Sequence, residues 1–363
     1  MDDSVRDDIV ALVPPLLQSI EALSFIARYL HPPDFGNVME MAGTPDALLR
    51  EALPRLNNWP EPLTGVATLL RASSDAVLAA FDGLRAAPEQ ENSLVAVFKA
   101  LRYVSRAQEA LYPLAAAMPA VSRFFIAPEM RDDAGLQERI AKAGKRDDTG
   151  IAHANNESGS RGGFSIYVPE YYTPDRAWPV VFALHGGSGN GRAFLWSWLR
   201  DARSHGAILV SPTAIGSTWA LMGDDADSPN LARILDMVRG RWNADPDRLL
   251  LTGMSDGGTF SYVSGLEAAS PFTHLGPVAS SFHPLMAEMA DKQRMQGLPI
   301  YLVHGQLDWM FHVDVARQAN EALSLAGANV TYREIDDLSH TYPREINAGM
   351  LTWLNEAPAK HGA

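Results

Sequence analysis

Apolar residues recur at three- and four-residue spacing through the first third of the chain. Ile9, Leu12, Val13, Leu16, Leu17, Ile20, Leu23 and Ile26 share one helical face. Two further stretches, residues 63–84 and 94–114, carry the same period, the second through Val97, Leu101, Val104 and Leu111. All are rich in Ala, Leu and Arg, residues that lose little on entering a helix. Pro14 and Pro15 interrupt the first run and predict a kink or a pair of helices. Thr44-Pro45-Asp46 reads as an N-cap followed by a proline at the first helical position.

The pattern changes between about Arg131 and Gly163. Asp132-Asp133, Lys145-Arg146-Asp147-Asp148 and the polar run Asn155 to Ser160 are turn-rich, and they predict a solvated linker with a short strand at 150–154. From Phe164 onward short apolar or β-branched runs alternate with helical stretches. The runs fall at 164–168, 180–184, 207–210, 249–251, 278–281, 300–303 and 330–334, and helices are expected at 231–242, 259–269 and 313–325. Such alternation predicts an α/β fold, a mostly parallel sheet with helices on both faces. The expected organisation is a helical N-terminal domain at 1–128, a linker with the first hairpin at 129–160, and a catalytic domain at 161–363. The helical domain would serve as a lid, docking or oligomerisation module, or simply as packed support.

Composition narrows the function. The chain is acidic, with a net charge of -13 and no basic block. That disfavours nucleic acid and anionic membrane as partners and favours neutral or weakly charged small molecules. There is no cysteine, which removes disulfides, thiolate metal sites and cysteine nucleophiles together. The acidic start lacks a basic region followed by an apolar core, and the weakly charged stretch 111–121 is too short to span a bilayer. A cytoplasmic protein is the resulting expectation.

The chemistry concentrates at Gly253-Met254-Ser255-Asp256-Gly257-Gly258. This is G-x-S-x-G between a strand and a helix, the context in which a serine is held at the tip of a tight turn. A serine hydroxyl needs an adjacent base to become nucleophilic. His340, after the last strand, is the candidate base, and Asp308, after the strand at 300–303, is the candidate acid that orients it. Asp314, Asp336 and Asp337 compete for that role, Asp314 as an early-helix residue and the 336–337 pair as too close along the chain to His340. His304 is expected to brace the loop that follows it, His283 to line the cleft, and His274 and His312 to be peripheral.

His185-Gly186-Gly187-Ser188-Gly189 ends a buried strand, and its glycines let backbone amides approach a developing oxyanion. The Asp256 amide is expected as one donor and that of Gly187 as the other, with Ser188 as the alternative. His185 is expected to shape the loop. The run lacks the lysine of a phosphate-binding loop and the spacing of a dinucleotide fingerprint, and no H-E-x-x-H occurs, so neither cofactor nor metal is expected. Trp219, Trp309 and His283 are the candidate substrate contacts, with Phe311 beside them. Of Trp196 and Trp198, at least one is expected in the core.

His-Gly-Gly after a strand, Gly-Met-Ser-Asp-Gly-Gly, His-Gly-Gln-Leu-Asp and Asp-Leu-Ser-His-Thr-Tyr-Pro together resemble the α/β-hydrolase superfamily. They are most similar to its phospholipase/carboxylesterase branch, near the feruloyl-esterase and polyhydroxybutyrate-depolymerase-like esterases, over residues 160–357. The resemblance implies carboxylic-ester hydrolysis through an acyl-enzyme with Ser255, Asp308 and His340. A peptidase or thioesterase on the same scaffold and a non-catalytic ligand-binding protein are the alternatives. The helical first third has no counterpart in the small members of that group, and a homo-oligomer formed through it is a further expectation.

Overall fold

A computed structural model describes residues 3–157 and 159–356. Met1 and Asp2 of the acidic start, Ser158 of the polar run, and residues 357–363 at the end of the expected catalytic domain lie outside them. The chain divides into two compact units, Met1–Arg131 and Asp132–Ala363.

All regular structure described in the first unit is helical. One helix, Asp3–Arg28, runs through Pro14 and Pro15, so the expected pair of helices is not formed. Two prolines deprive the preceding turn of two hydrogen bonds. Val10, in that turn, faces solvent, while Leu12, Val13, Leu16, Ile20, Leu23 and Ile26 are buried, so packing outweighs the loss. This helix is also long and apolar enough to cross a membrane by length and composition alone. The periodic stretches at 63–84 and 94–114 form helices Thr64–Ala86 and Ser93–Leu111. They approach closely where a Cβ on Gly83 would stand 2.9 Å from that of Ala100. Thr44 does not cap a helix. The helix begins at Ala47, and the buried Asp46 before it is held by Arg50 and Arg85. Its carboxylate answers side chains rather than free amides, which displaces the expected start.

The second unit holds one eight-stranded sheet: β1 (Gly150–Ala154), β2 (Phe164–Val168), β3 (Trp178–Leu184), β4 (Ile208–Pro212), β5 (Ala244–Met254), β6 (His274–Val278), β7 (Pro299–Gly305) and β8 (Asn329–Ile335). Their spatial order is β1-β2-β4-β3-β5-β6-β7-β8. β1 and β2 pair antiparallel, and every pairing from β4 to β8 is parallel. Every residue of β2, β3, β4 and β6 is buried, so both faces of the central sheet are covered. From β3 the chain winds one way to β4 and the other way to β5. That reversal opens a crevice outside the carboxyl ends of β3 and β5, where α/β sheets bind ligands.

Several boundaries differ from the pattern reading, and β5 begins at Ala244 rather than at 249. The stretch read as linker contains a helix, Ala134–Lys142, whose N-cap Asp133 accepts the Leu136 amide at 2.7 Å. A single buried leucine on so short a helix leaves almost no periodic signal. β6 covers 274–278 rather than 278–281, because Ala279 turns to φ 46° and ends the pairing with β5. The helix after Ser255 starts at Asp256 and stops at Gly265, four residues before the expected end.

Candidate active site

β5 delivers Ser255 at the carboxyl edge of the sheet, and the next residue opens the helix Asp256–Gly265. Ser255 has φ 56° and ψ −120°, a conformation costly for a residue with a Cβ and typical of a strained functional turn. The turn is fixed by the Ser255 amide bonding to the Val278 carbonyl at 2.9 Å and by the Thr259 amide bonding to the Ser255 carbonyl at 2.8 Å. Glycine at 257 is obligatory on contact grounds. A Cβ there would lie 2.5 Å from the His185 carbonyl oxygen and 2.6 Å from that of Leu184.

Asp308 and His340 arrive on two loops pressed together beyond β7 and β8. Gly305 permits this, since a Cβ there would stand 2.1 Å from the Leu338 carbonyl oxygen. The Leu307 amide bonds to that same carbonyl at 2.9 Å, and the Gln306 amide to Ile335 at 2.9 Å. His340 Nδ1 thereby lies 2.9 Å from Asp308 Oδ2 and 3.1 Å from Oδ1, and its Nε2 lies 3.1 Å from Ser255 Oγ. A carboxylate only accepts, so Nδ1 carries the proton and Nε2 is free to accept the serine hydroxyl. Asp308 Oδ1 also accepts the Met310 and Phe311 amides, each at 2.9 Å. Burial alone would raise the Asp308 carboxyl; the bonds from His340 and these amides outweigh it and hold the group below its ordinary value.

The competing carboxylates are placed elsewhere. Asp314 pairs with His312 and Arg317, and neither Asp336 nor Asp337 is bonded to His340. His304 is fully buried, its Nε2 2.8 Å from the Phe311 carbonyl oxygen and 3.4 Å from Asp308 Oδ2, so it braces the acid loop from below. Burial holds its imidazole below the usual range.

Across the crevice, Gly186 brings the loop after β3 against Ser255, and a Cβ there would stand 3.5 Å from that of Ser255. The amides of Gly187, Ser188 and Asp256 are unmatched to any backbone acceptor in the loops and turns of the described residues. These are the groups expected to meet an oxyanion, and the choice between Gly187 and Ser188 as second donor stays open. Ser188 itself sits at φ 57°. His185 is buried behind the loop. Its Nδ1–H donates to the Gly186 carbonyl at 2.7 Å, which leaves Nε2 to accept the Ala214 amide at 3.2 Å. Burial pushes this imidazole down to about 4, against the opposing pull of the Gly186 carbonyl.

Trp219 is not placed as a substrate contact. Its ring is buried, stacked on Phe260, and its Nε1–H donates to the His185 carbonyl at 2.8 Å, so it supports the loop from inside the core. Trp309 is 41% exposed and set edge-on to His340, with Phe311 against the same imidazole. His283 is exposed on the loop after β6, its Nδ1 accepting the Leu285 amide at 3.2 Å. Trp196 and Trp198 are both buried.

Two residues escaped the sequence reading. Arg161, in the stretch taken for a solvated linker, donates to the Gly189 carbonyl at 2.8 Å and the Gly216 carbonyl at 2.6 Å, tying the loop after β3 to the loop after β4. Thr218 donates to Asp256 Oδ2 at 2.5 Å, and that oxygen is also the atom a Cβ on Gly187 would meet. No spacing rule marks either one, since each acts through contacts remote in sequence.

Sheet order and the serine turn after β5 give the second unit an α/β-hydrolase fold, with Ser255, His340 and Asp308 in hydrogen-bonded line at the carboxyl edge of the sheet. No family model matches the chain. It is 29% identical over 157 residues to the bifunctional acetylxylan esterase/xylanase XynS20E of Neocallimastix patriciarum, covering 42% of this chain and 22% of that protein. It is 26% identical over 112 residues to acetylxylan esterase A of Emericella nidulans, covering 28% of this chain and 36% of that protein. The chain thus spans about a fifth to a third of the length of these curated relatives. Among solved structures it is similar to a ferulic acid esterase, at 15% identity and a TM-score of 0.48 over 56% of this chain and 96% of that one.

Proposed function

We propose that the chain hydrolyses small to medium carboxylic esters through an acyl-enzyme formed on Ser255. The observation that supports this most directly is His340, which bridges Ser255 Oγ and the Asp308 carboxylate in one buried line. In the first step His340 Nε2 takes the Ser255 proton as Oγ bonds to the ester carbonyl carbon. The carbonyl oxygen gains charge toward the Asp256 and Gly187 amides. Asp308 stays ionised and stabilises the imidazolium, which then gives its proton to the departing alkoxide. Water repeats the sequence on the acyl-enzyme, releasing the acid and restoring Ser255.

A short acyl group is the favoured substrate feature, supported by the acetyl esters named for both curated relatives. A panel of chromogenic esters of increasing acyl length, set against anilides and thioesters, tests the reading. Turnover of acetate or another short ester, abolished in Ser255→Ala, is expected. Anilide cleavage without ester cleavage would move the assignment to a peptidase, and no turnover above Ser255→Ala would remove it.

A further inference from the structure

Opposite the ester site, at the amino ends of the strands, the second unit carries a cleft of about 660 Å³. Trp178 opens β3 and Gly206 precedes β4, so this cleft lies at the end of the sheet remote from Ser255. Its rim is cationic in a protein of net charge -13: Arg139, Lys142, Arg146 and Arg176 all line it. Lys142 and Arg146 are already neutralised, by Glu138 and Asp148. Arg139 and Arg176 make no ion pair among the described residues and are held by aromatic rings instead.

The Arg176 guanidinium lies 3.7 Å from the centre of the Trp178 ring, and that of Arg139 lies 5.5 Å from Tyr171. The two rings are themselves 5.9 Å apart. Stacking occupies the flat face of a guanidinium and leaves its N–H edge available, the arrangement in which arginine receives the two oxygens of a carboxylate or phosphate. Gly206 makes room for it, at φ +75° and with a notional Cβ 3.2 Å from Arg176 Nη2. Neither nearby acid forms a salt bridge with Arg139 or Arg176. Glu170, which also lines the cleft, is engaged by Arg203 and by the Tyr167 hydroxyl, and Asp175 is bonded to Thr173 and feels the Arg176 charge without forming an ion pair with it. Two ring-stacked guanidiniums without a salt bridge therefore face one cavity.

We propose that this cleft binds a small polyanion through paired phosphate or carboxylate oxygens, at a site separate from the esterase centre. Isothermal titration of the full chain at low salt with pyrophosphate, and separately with citrate, tests it. Saturable binding of at least one probe is expected, weakening steeply with added salt and falling tenfold or more in Arg176→Gln and in Arg139→Gln. Binding of pyrophosphate alone assigns a phosphate ligand, and of citrate alone a carboxylate ligand. Both substituted residues are exposed, and reaction of Ser255 with a fluorophosphonate in each variant verifies that the unit is folded. Absence of saturable binding by either probe at millimolar concentration, or binding unchanged in both variants, overturns the proposal.

Discussion

Acid should loosen the loop after β3 through a single imidazole. Burial keeps His185 neutral in the folded protein, and a proton on Nε2, which accepts the Ala214 amide, would set one N–H against another. In the unfolded chain the group titrates near 6.5, and in the folded chain near 4. The unfolded state therefore binds the extra proton between those values, and stability falls as pH falls from 6.5 to 4, then levels off. A shift of this size corresponds to about 3 kcal/mol, lost at about 1.4 kcal/mol per pH unit. His185→Gln removes the titration. Urea unfolding, followed by hydrogen exchange of β3 and β4 amides so that it reports on the second unit, gives the stability of both proteins from pH 7.5 to 4. The advantage of the parent over the variant should shrink by about 3 kcal/mol across that range. Carboxylates titrating in the same interval cancel in this difference. Asp308 is one of them, its depressed value giving stability present above the unfolded value and lost as pH falls through the folded one. Parallel pH curves for the two proteins, or a His185 ring titrating near its free value by NMR, would refute the reasoning.

Three further outcomes are expected. A fluorophosphonate probe should label Ser255 alone, and labelling that survives Ser255→Ala would reassign the nucleophile. Asp308→Ala should lower kcat by roughly a factor of 10⁴ while Asp336→Ala leaves it near the parent value, the reverse result transferring the acid role. Gly305→Ala should lose about 1–3 kcal/mol of stability and impair turnover, because the new methyl group meets the Leu338 carbonyl between the acid and histidine loops. Unchanged melting and kinetics would mean that those loops are free to part.

What could be read from the sequence is local. Ser255 is announced by glycines whose absent side chains are needed at those positions, as the crowding around Gly257 makes plain. Asp308 and His340 are announced by strands, because a parallel sheet delivers successive loops to the same edge. The turn residues between β7 and β8 and the histidine loop then meet through backbone bonds that the alternation of strands and helices already implies. Trp219 shows where this logic fails. A tryptophan on a loop near the site reads equally as a substrate wall or as core, and only its bond to the His185 carbonyl and its stack on Phe260 decide for core.

Arg161 marks the deeper limit. By composition it belongs to a polar, turn-rich segment, and such charges usually face water. Its guanidinium instead reaches the carbonyls of Gly189 and Gly216, two loops that meet only because β3 and β4 are neighbours in the sheet. The same adjacency lets His185 accept the amide of Ala214. The loop after β3 is thus held from three directions, by Arg161, by His185 and by Trp219; the part of His185 is legible in the sequence, but the contacts of Arg161 and Trp219 have no spacing that a pattern could reveal. A catalytic group can be guessed from what it is, since its chemistry restricts the residue type. A supporting group such as Arg161, remote in sequence from what it holds, is recognised by what it touches, because many residue types can hold a backbone carbonyl in place.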